Sequence, residues 1–156
     1  MRIAPLIVLV AGLAGCSGSA PPPPRPAAAA AQGEAVSRVG DVSIRANAMQ
    51  TSALSSTVAG QYGITRADNS VMLLVAVRQG PEAQEVALPA RITATATDLR
   101  GRRQNLDMRE LRSGDLLDYI GTAELTPPDT LRFDVTIVRE NGATSTMQFS
   151  RDFYPR

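Results

Sequence analysis

Leu131-Arg132-Phe133-Asp134-Val135-Thr136-Ile137 alternates apolar and polar side chains without a fault, and Asn141-Gly142 follows it closely. A period of two is the pattern of a strand with one face in a core. Asn-Gly predicts a two-residue type I′ link with both residues at positive φ, so Thr144 to Tyr154 should return antiparallel to Leu131–Arg139. On that return strand Met147, Phe149 and Phe153 share a face, interrupted by Arg151, which is expected to snorkel or to pair with a carboxylate. A hairpin with one apolar face needs a second layer to cover it.

The rest of the folded region offers that layer. Short alternating runs are separated by turn signals about every ten residues, the spacing of an all-β sandwich or barrel. The first strand is expected over Asp41–Ala48, followed by a short helix that Ser55 or Ser56 can cap and Gly63 can end. Val71–Val77 is apolar at every position and belongs in the middle of a sheet. Arg91–Thr97 alternates Ile92, Ala94 and Ala96 against threonines, and the turn Leu99-Arg100-Gly101-Arg102 follows it. Gln104–Leu111 makes a fourth strand, Ser113-Gly114-Asp115 turns it, and Leu117–Leu125 makes a fifth before Pro127-Pro128 blocks further pairing. The expected fold is a single immunoglobulin- or fibronectin-III-like antiparallel β-sandwich of about seven strands, with one short helix after the first.

Residues 1–15 read as a secretory leader of the bacterial lipoprotein type, ending at Leu13-Ala14-Gly15-Cys16. The apolar run holds Pro5 and is shorter than the roughly 20 residues of a membrane-spanning helix. Cys16, the only cysteine, is the expected lipidation site, and two or more acyl chains there would give stable attachment to a membrane. Ser17 in the next position favours the outer membrane, facing the periplasm of a Gram-negative envelope, over the inner membrane. Residues 16–38, with Pro21–Pro24 and Ala27–Ala31, are expected to be a disordered Pro/Ala-rich tether, and residues 39–156 the sandwich.

Composition narrows the chemistry. The chain has no histidine and no lysine, so no imidazole can serve as base or metal ligand and no amine can form a Schiff base. Acylation of Cys16 would leave no thiol and no disulfide. Removing Arg2 with the leader leaves as many arginines as carboxylates, so the basic excess of a nucleic-acid binder is missing. Without tryptophan and with few other aromatics, the core must be built mainly from aliphatic side chains.

Five stretches, Tyr62-Gly63-Ile64-Thr65-Arg66, Thr95 to Gly101, Arg109-Glu110-Leu111-Arg112-Ser113-Gly114-Asp115, Leu131-Arg132-Phe133 and the ending Phe149 to Pro155, resemble the DUF4426 family of proteobacterial envelope proteins in order and spacing. The resemblance spans roughly Gly40 to Pro155 and implies the envelope setting but no activity to transfer. Met108 stands where an aromatic residue often precedes the Arg-Glu pair, and Ile44-Arg45-Ala46 replaces a more aromatic first strand.

The candidate interaction surface comprises Tyr62, Arg66, Arg100, Arg102, Arg103, Arg109, Glu110 and Asp115. Continued alternation from Leu106 and Met108 would carry Glu110 toward the core, where it must pair with an arginine or serve as an acid or base. Arg100, Arg102 and Arg103 share a hairpin tip and are either solvated or aimed at anionic headgroups or an acidic partner. Met49, Met72, Met108 and Met147 lack the spacing of a copper(I) motif and read as core filling. No serine lies in G-x-S-x-G. The expectation is a non-catalytic module, without cofactor or metal, held to a membrane by acyl chains on Cys16. It would bind another envelope component, most plainly a protein, through a sheet edge or the loops Tyr62–Asn69 and Arg100–Arg103. The alternatives are a periplasmic carrier of a small molecule or metal and an enzyme using Glu110 or Asp115.

Overall fold

The computed structural model describes residues 33–156; the leader, Cys16 and the proline run lie outside them. Ten strands form two antiparallel sheets. The larger holds β1 (Glu34–Val39), β2 (Val42–Gln50), β3 (Ser70–Gln79), β8 (Leu116–Glu124) and β7 (Arg109–Ser113) in that spatial order, with the short β4 (Val86–Ala87) also on β3. The smaller holds β10 (Thr144–Phe153), β9 (Asp129–Arg139), β5 (Ala90–Thr97) and β6 (Arg103–Leu106). The all-β sandwich is as expected, with more strands than the seven read from alternation. Among the described residues no helix is long and apolar enough to cross a membrane.

The inner faces meet in one core. Ile44, Leu73, Val75 and Val77 of the larger sheet pack with Ile92, Leu131, Phe133, Val135 and Ile137 of the smaller. Phe133 stacks on Phe149 with ring centroids 5.2 Å apart, a favourable offset geometry. Tyr119 is buried, and its hydroxyl accepts a hydrogen bond from the Ala90 amide at 2.7 Å, which satisfies its one polar atom. Burial raises the Tyr119 pKa above that of a free phenol.

β3 is central and covered on both sides, as its unbroken apolar run requires. Its outer face meets α1 (Ser56–Tyr62), the one α-helix among the described residues, in a second cluster of Leu54, Ala59, Met72 and Ile120. Ser55 caps α1 by accepting from the Val58 amide, and Gly63 ends it at φ 61°, both as the sequence indicates. Met72 and Met147 are buried in the two clusters and Met49 and Met108 pack against them, so all four fill space.

Four local expectations are corrected. The hairpin joining β9 and β10 is not a type I′ turn, because no residue but glycine has positive φ among the described residues. Gly142 N donates to Arg139 O at 2.9 Å and Arg139 N to Ala143 O at 3.0 Å. That is a three-residue loop, a type I turn closed by Gly142 at φ 82°, which spares Asn141 the left-handed conformation. Of the two expectations for Arg151, pairing with a carboxylate does not occur among the described residues; its Nη2 donates to the Gly33 carbonyl at 2.6 Å. The tether ends earlier than residue 38, since Glu34–Val39 is a strand. Its edge position leaves most of β1 exposed, so no buried alternation marks it in the sequence.

The fourth correction bears on the site. Gln104–Leu111 is not one strand but β6 and β7, which lie in different sheets. Asp107 and Met108 carry the chain across, and Gly121 on β8 makes room for them. A Cβ at Gly121 would lie 2.6 Å from Met108 Sδ, 3.2 Å from the Asp107 carbonyl oxygen and 3.3 Å from Leu106 Cβ.

Candidate functional site: one end of the sandwich

The strand registers bring four segments to one end: residues 51–69 between β2 and β3, the β5–β6 loop, residues 125–128, and the chain beyond β10. Ser70 pairs with Glu124 and Phe153 with Asp129, while the Leu99 amide donates to Asp129 Oδ1 at 3.4 Å. The segments are held by side chains. Thr51 Oγ1 donates to the Ala67 carbonyl at 3.1 Å and accepts from the Ala67 amide at 2.9 Å. Arg66 Nη2 donates to the Ser52 carbonyl at 2.9 Å. Gln104 and Glu124 exchange two hydrogen bonds of 2.7 and 2.8 Å.

Asp98 organises the β5–β6 tip. Its buried carboxylate accepts from the Arg102 amide at 2.8 Å, the Arg100 amide at 3.0 Å and Arg102 Nε at 3.1 Å. The backbone bond from Arg102 is the largest cause that holds the Asp98 carboxyl below the ordinary range. Gly101 at φ 83° closes the same loop type as Gly142, with Gly101 N donating to Asp98 O at 3.0 Å. The fixed tip presents Leu99, 76% exposed, next to Arg100, at the end of the sandwich that also holds Tyr154, 66% exposed, and exposed Pro128.

Of the expected surface residues, this end gathers Arg66, Arg100, Arg102 and Arg103. Tyr62 and Arg109 meet farther along the larger sheet, where Arg109 Nη2 donates to the Tyr62 carbonyl. Asp115 is excluded: it lies in the β7–β8 turn at the opposite end, since Ser113 pairs with Leu116. Glu110 is not buried in the core. It shares the face of its cross-strand partner Tyr119, as the alternation indicates, but β7 is an edge strand and the side chain stays 50% exposed, accepting from Arg112 Nη2 at 2.9 Å. Two signals could have found the residues missed. Asp at the first and Gly at the fourth position of Asp98-Leu99-Arg100-Gly101 fit a type I turn, and a large apolar residue inside such a turn has no core to enter.

Other acidic groups are engaged elsewhere. On the outer face of the larger sheet Arg45 grips Glu85 through two hydrogen bonds of 2.7 and 2.8 Å, and Ser43 Oγ adds a third at 3.1 Å. The Arg45 bond is the main cause that lowers the Glu85 pKa. Arg78 is buried beside them and bonds Asp118 and the Leu117 carbonyl. No group of three or more His, Cys, Asp or Glu side chains able to hold a metal occurs among the described residues.

A family model described as a domain of unknown function, DUF4426, matches residues 36–156. The fold is similar to the crystal structure of a DUF4426 family protein from Pseudomonas aeruginosa PAO1, which is 23% identical with a TM-score of 0.68, over 80% of this chain and 98% of that one. A copper-bound variant of FetP from uropathogenic Escherichia coli strain F11 is similar at 10% identity and a TM-score of 0.52, over 80% of this chain and 92% of that one. FetP as isolated, expressed in the periplasm of E. coli, is 12% identical at 0.49, over 78% and 92%. No curated protein matches the chain.

Proposed function

The chain belongs to the DUF4426 family, and from that premise we propose that it is a non-catalytic module, lipid-anchored at Cys16 to the outer membrane and facing the periplasm. Its Leu99 end binds another envelope protein. The observation that carries this reading is the tip locked by Asp98, which holds a large apolar side chain in solvent next to Arg100, at the end that also exposes Tyr154. Tyr and Arg are enriched where binding energy concentrates, and a rigid loop loses little entropy on association. The arginines suit a partner face with carboxylates around an apolar centre.

A metal carrier is less well supported. The soft donors Met49 and Met72 are cross-strand partners packed with the helix, and Asp98, Glu85, Asp118 and Glu110 are each closed by an arginine. A carboxylate enzyme would need Glu110 free to accept or give a proton, whereas its half-exposed carboxylate is bound to Arg112.

Site-specific photocrosslinking in living cells tests the proposal. A crosslinker at Leu99 should capture one envelope protein, identified by mass spectrometry, and Tyr154→Ala should weaken its binding at least about tenfold, as for an interface anchor. The same capture from a crosslinker at Asp115, or none at Leu99, refutes it.

A further inference from the structure

The two sheets part along one side, between edge strands β1 and β10, leaving a groove of about 750 Å³ lined by Ala35, Ala48, Phe149, Arg151 and Phe153 among others. That size falls within the range of about 300–1,000 Å³ for small-molecule sites. Its floor is apolar, because Ala35 and Phe149 pack on the core and Phe153 and Ala48 belong to it.

The charge on its wall has one sign. Arg151 is paired with Leu131, whose side chain is fully buried, so the guanidinium lies on the inner side of β10. Its Nη2 reaches the Gly33 carbonyl, while its Nε is buried without an acceptor. The two acidic residues at the rim are directed away. Asp152 accepts from Thr130 Oγ1 on the outer face of the smaller sheet, and Glu34 acts electrostatically on Arg45, on the outer face of the larger one. The partly exposed Arg151 guanidinium, which bonds a carbonyl and, among the described residues, no carboxylate, stands above this apolar floor and suits an anion that carries a hydrocarbon body.

The geometry points to a binding site for an anionic single-chain amphiphile, a carboxylate- or phosphate-headed acyl chain, with the head on Arg151 and the chain over Phe149 and Phe153. The groove reaches Tyr154, which it shares with the Leu99 end, but its head-group and chain contacts do not depend on a protein partner.

The test uses the full chain in its own membranes and a diazirine-bearing palmitate as probe. Light should attach the probe to peptides containing Glu34–Gln50 or Phe149–Arg156. Free palmitate should compete at least about tenfold better than methyl palmitate, which lacks the charge, since tenfold corresponds to about 1.4 kcal/mol and a charged hydrogen bond is worth at least that. Hexadecyl phosphate in the same competition shows which head group the site prefers. Arg151→Gln should lose the labelling. Ala35→Leu, which keeps the arginine and fills the floor, should lose it as well, with the fold of both variants checked by circular dichroism. Labelling elsewhere on the chain, equal competition by the ester, or full labelling of both folded variants overturns the assignment.

Discussion

Gly121→Ala probes the place where the chain changes sheets. An alanine in a strand ordinarily gains about 0.4–1 kcal/mol over glycine, because the unfolded chain has less freedom to lose. Here the new methyl would meet Met108 Sδ at 2.6 Å and the Asp107 carbonyl oxygen at 3.2 Å. The thioether can swing aside, though it loses packing against the core; the carbonyl belongs to the backbone that joins the sheets and must move. Overpacking of this kind costs about 1–3 kcal/mol, so the net effect is a loss of about 1 kcal/mol, or roughly 3–6 °C in melting temperature for a domain of this size. Thermal melts followed by circular dichroism measure it. In a Met108→Ala background the thioether contact is gone and the loss from Gly121→Ala should shrink by about 0.5 kcal/mol or more, the signature of touching residues. A Gly121→Ala protein that melts at or above the parent, or an equal loss in both backgrounds, would refute the contact.

Asp98 and Glu85 both have depressed pKa values, so their contribution to stability is present above the unfolded carboxylate range and is lost as pH falls through their lower folded values. Urea titrations should find a plateau from neutral down to about pH 5 and a decline below about pH 4, with a shallower decline in Asp98→Asn and Glu85→Gln. Gly142→Ala should cost about 1–2 kcal/mol, since φ is 82° there. Gly60→Ala, in the helix with open space around it, should stabilise by up to about 1 kcal/mol, and melts of the pair check both signs. Cys16→Ala should abolish fatty-acid labelling and release the protein from the membrane pellet; retained labelling would refute the anchor.

Elements whose burial follows a strict period were legible in the sequence. β9 carries four inward side chains at alternate positions, β3 is apolar from Val71 to Val77, and α1 begins and ends on its own cap residues. The rest was hidden for identifiable reasons. β1 is an edge strand that contributes little to the core, so its residues resemble tether. β6 and β7 are adjacent in sequence with continuous alternation, and only Gly121, on a distant strand, permits the crossing that separates them. Glu110 shares the inner face with Tyr119, as the alternation indicates, and only the edge position of β7 leaves it exposed. At the site, the arginines of the β5–β6 tip were legible as a cluster, but the part of Asp98 was not, because its three hydrogen bonds depend on a loop closed by Gly101. Nor does the sequence bring Tyr154 to the same end as Leu99; the pairing of Phe153 with Asp129 does.

The register of β1 has a mechanical consequence. Glu34 pairs with Asn47 at the free end and Val39 with Val42 at the turn, so tension arriving through residue 33 pulls the strand off from its open end. Pairs then part in succession, Glu34–Asn47 first, and no group of them shares the load. The Arg151 bond to the Gly33 carbonyl stands ahead of them all. Under traction this strand yields before anything else in its sheet. β2 then becomes the border, while the smaller sheet, which carries the Leu99 tip, keeps every strand pairing it has.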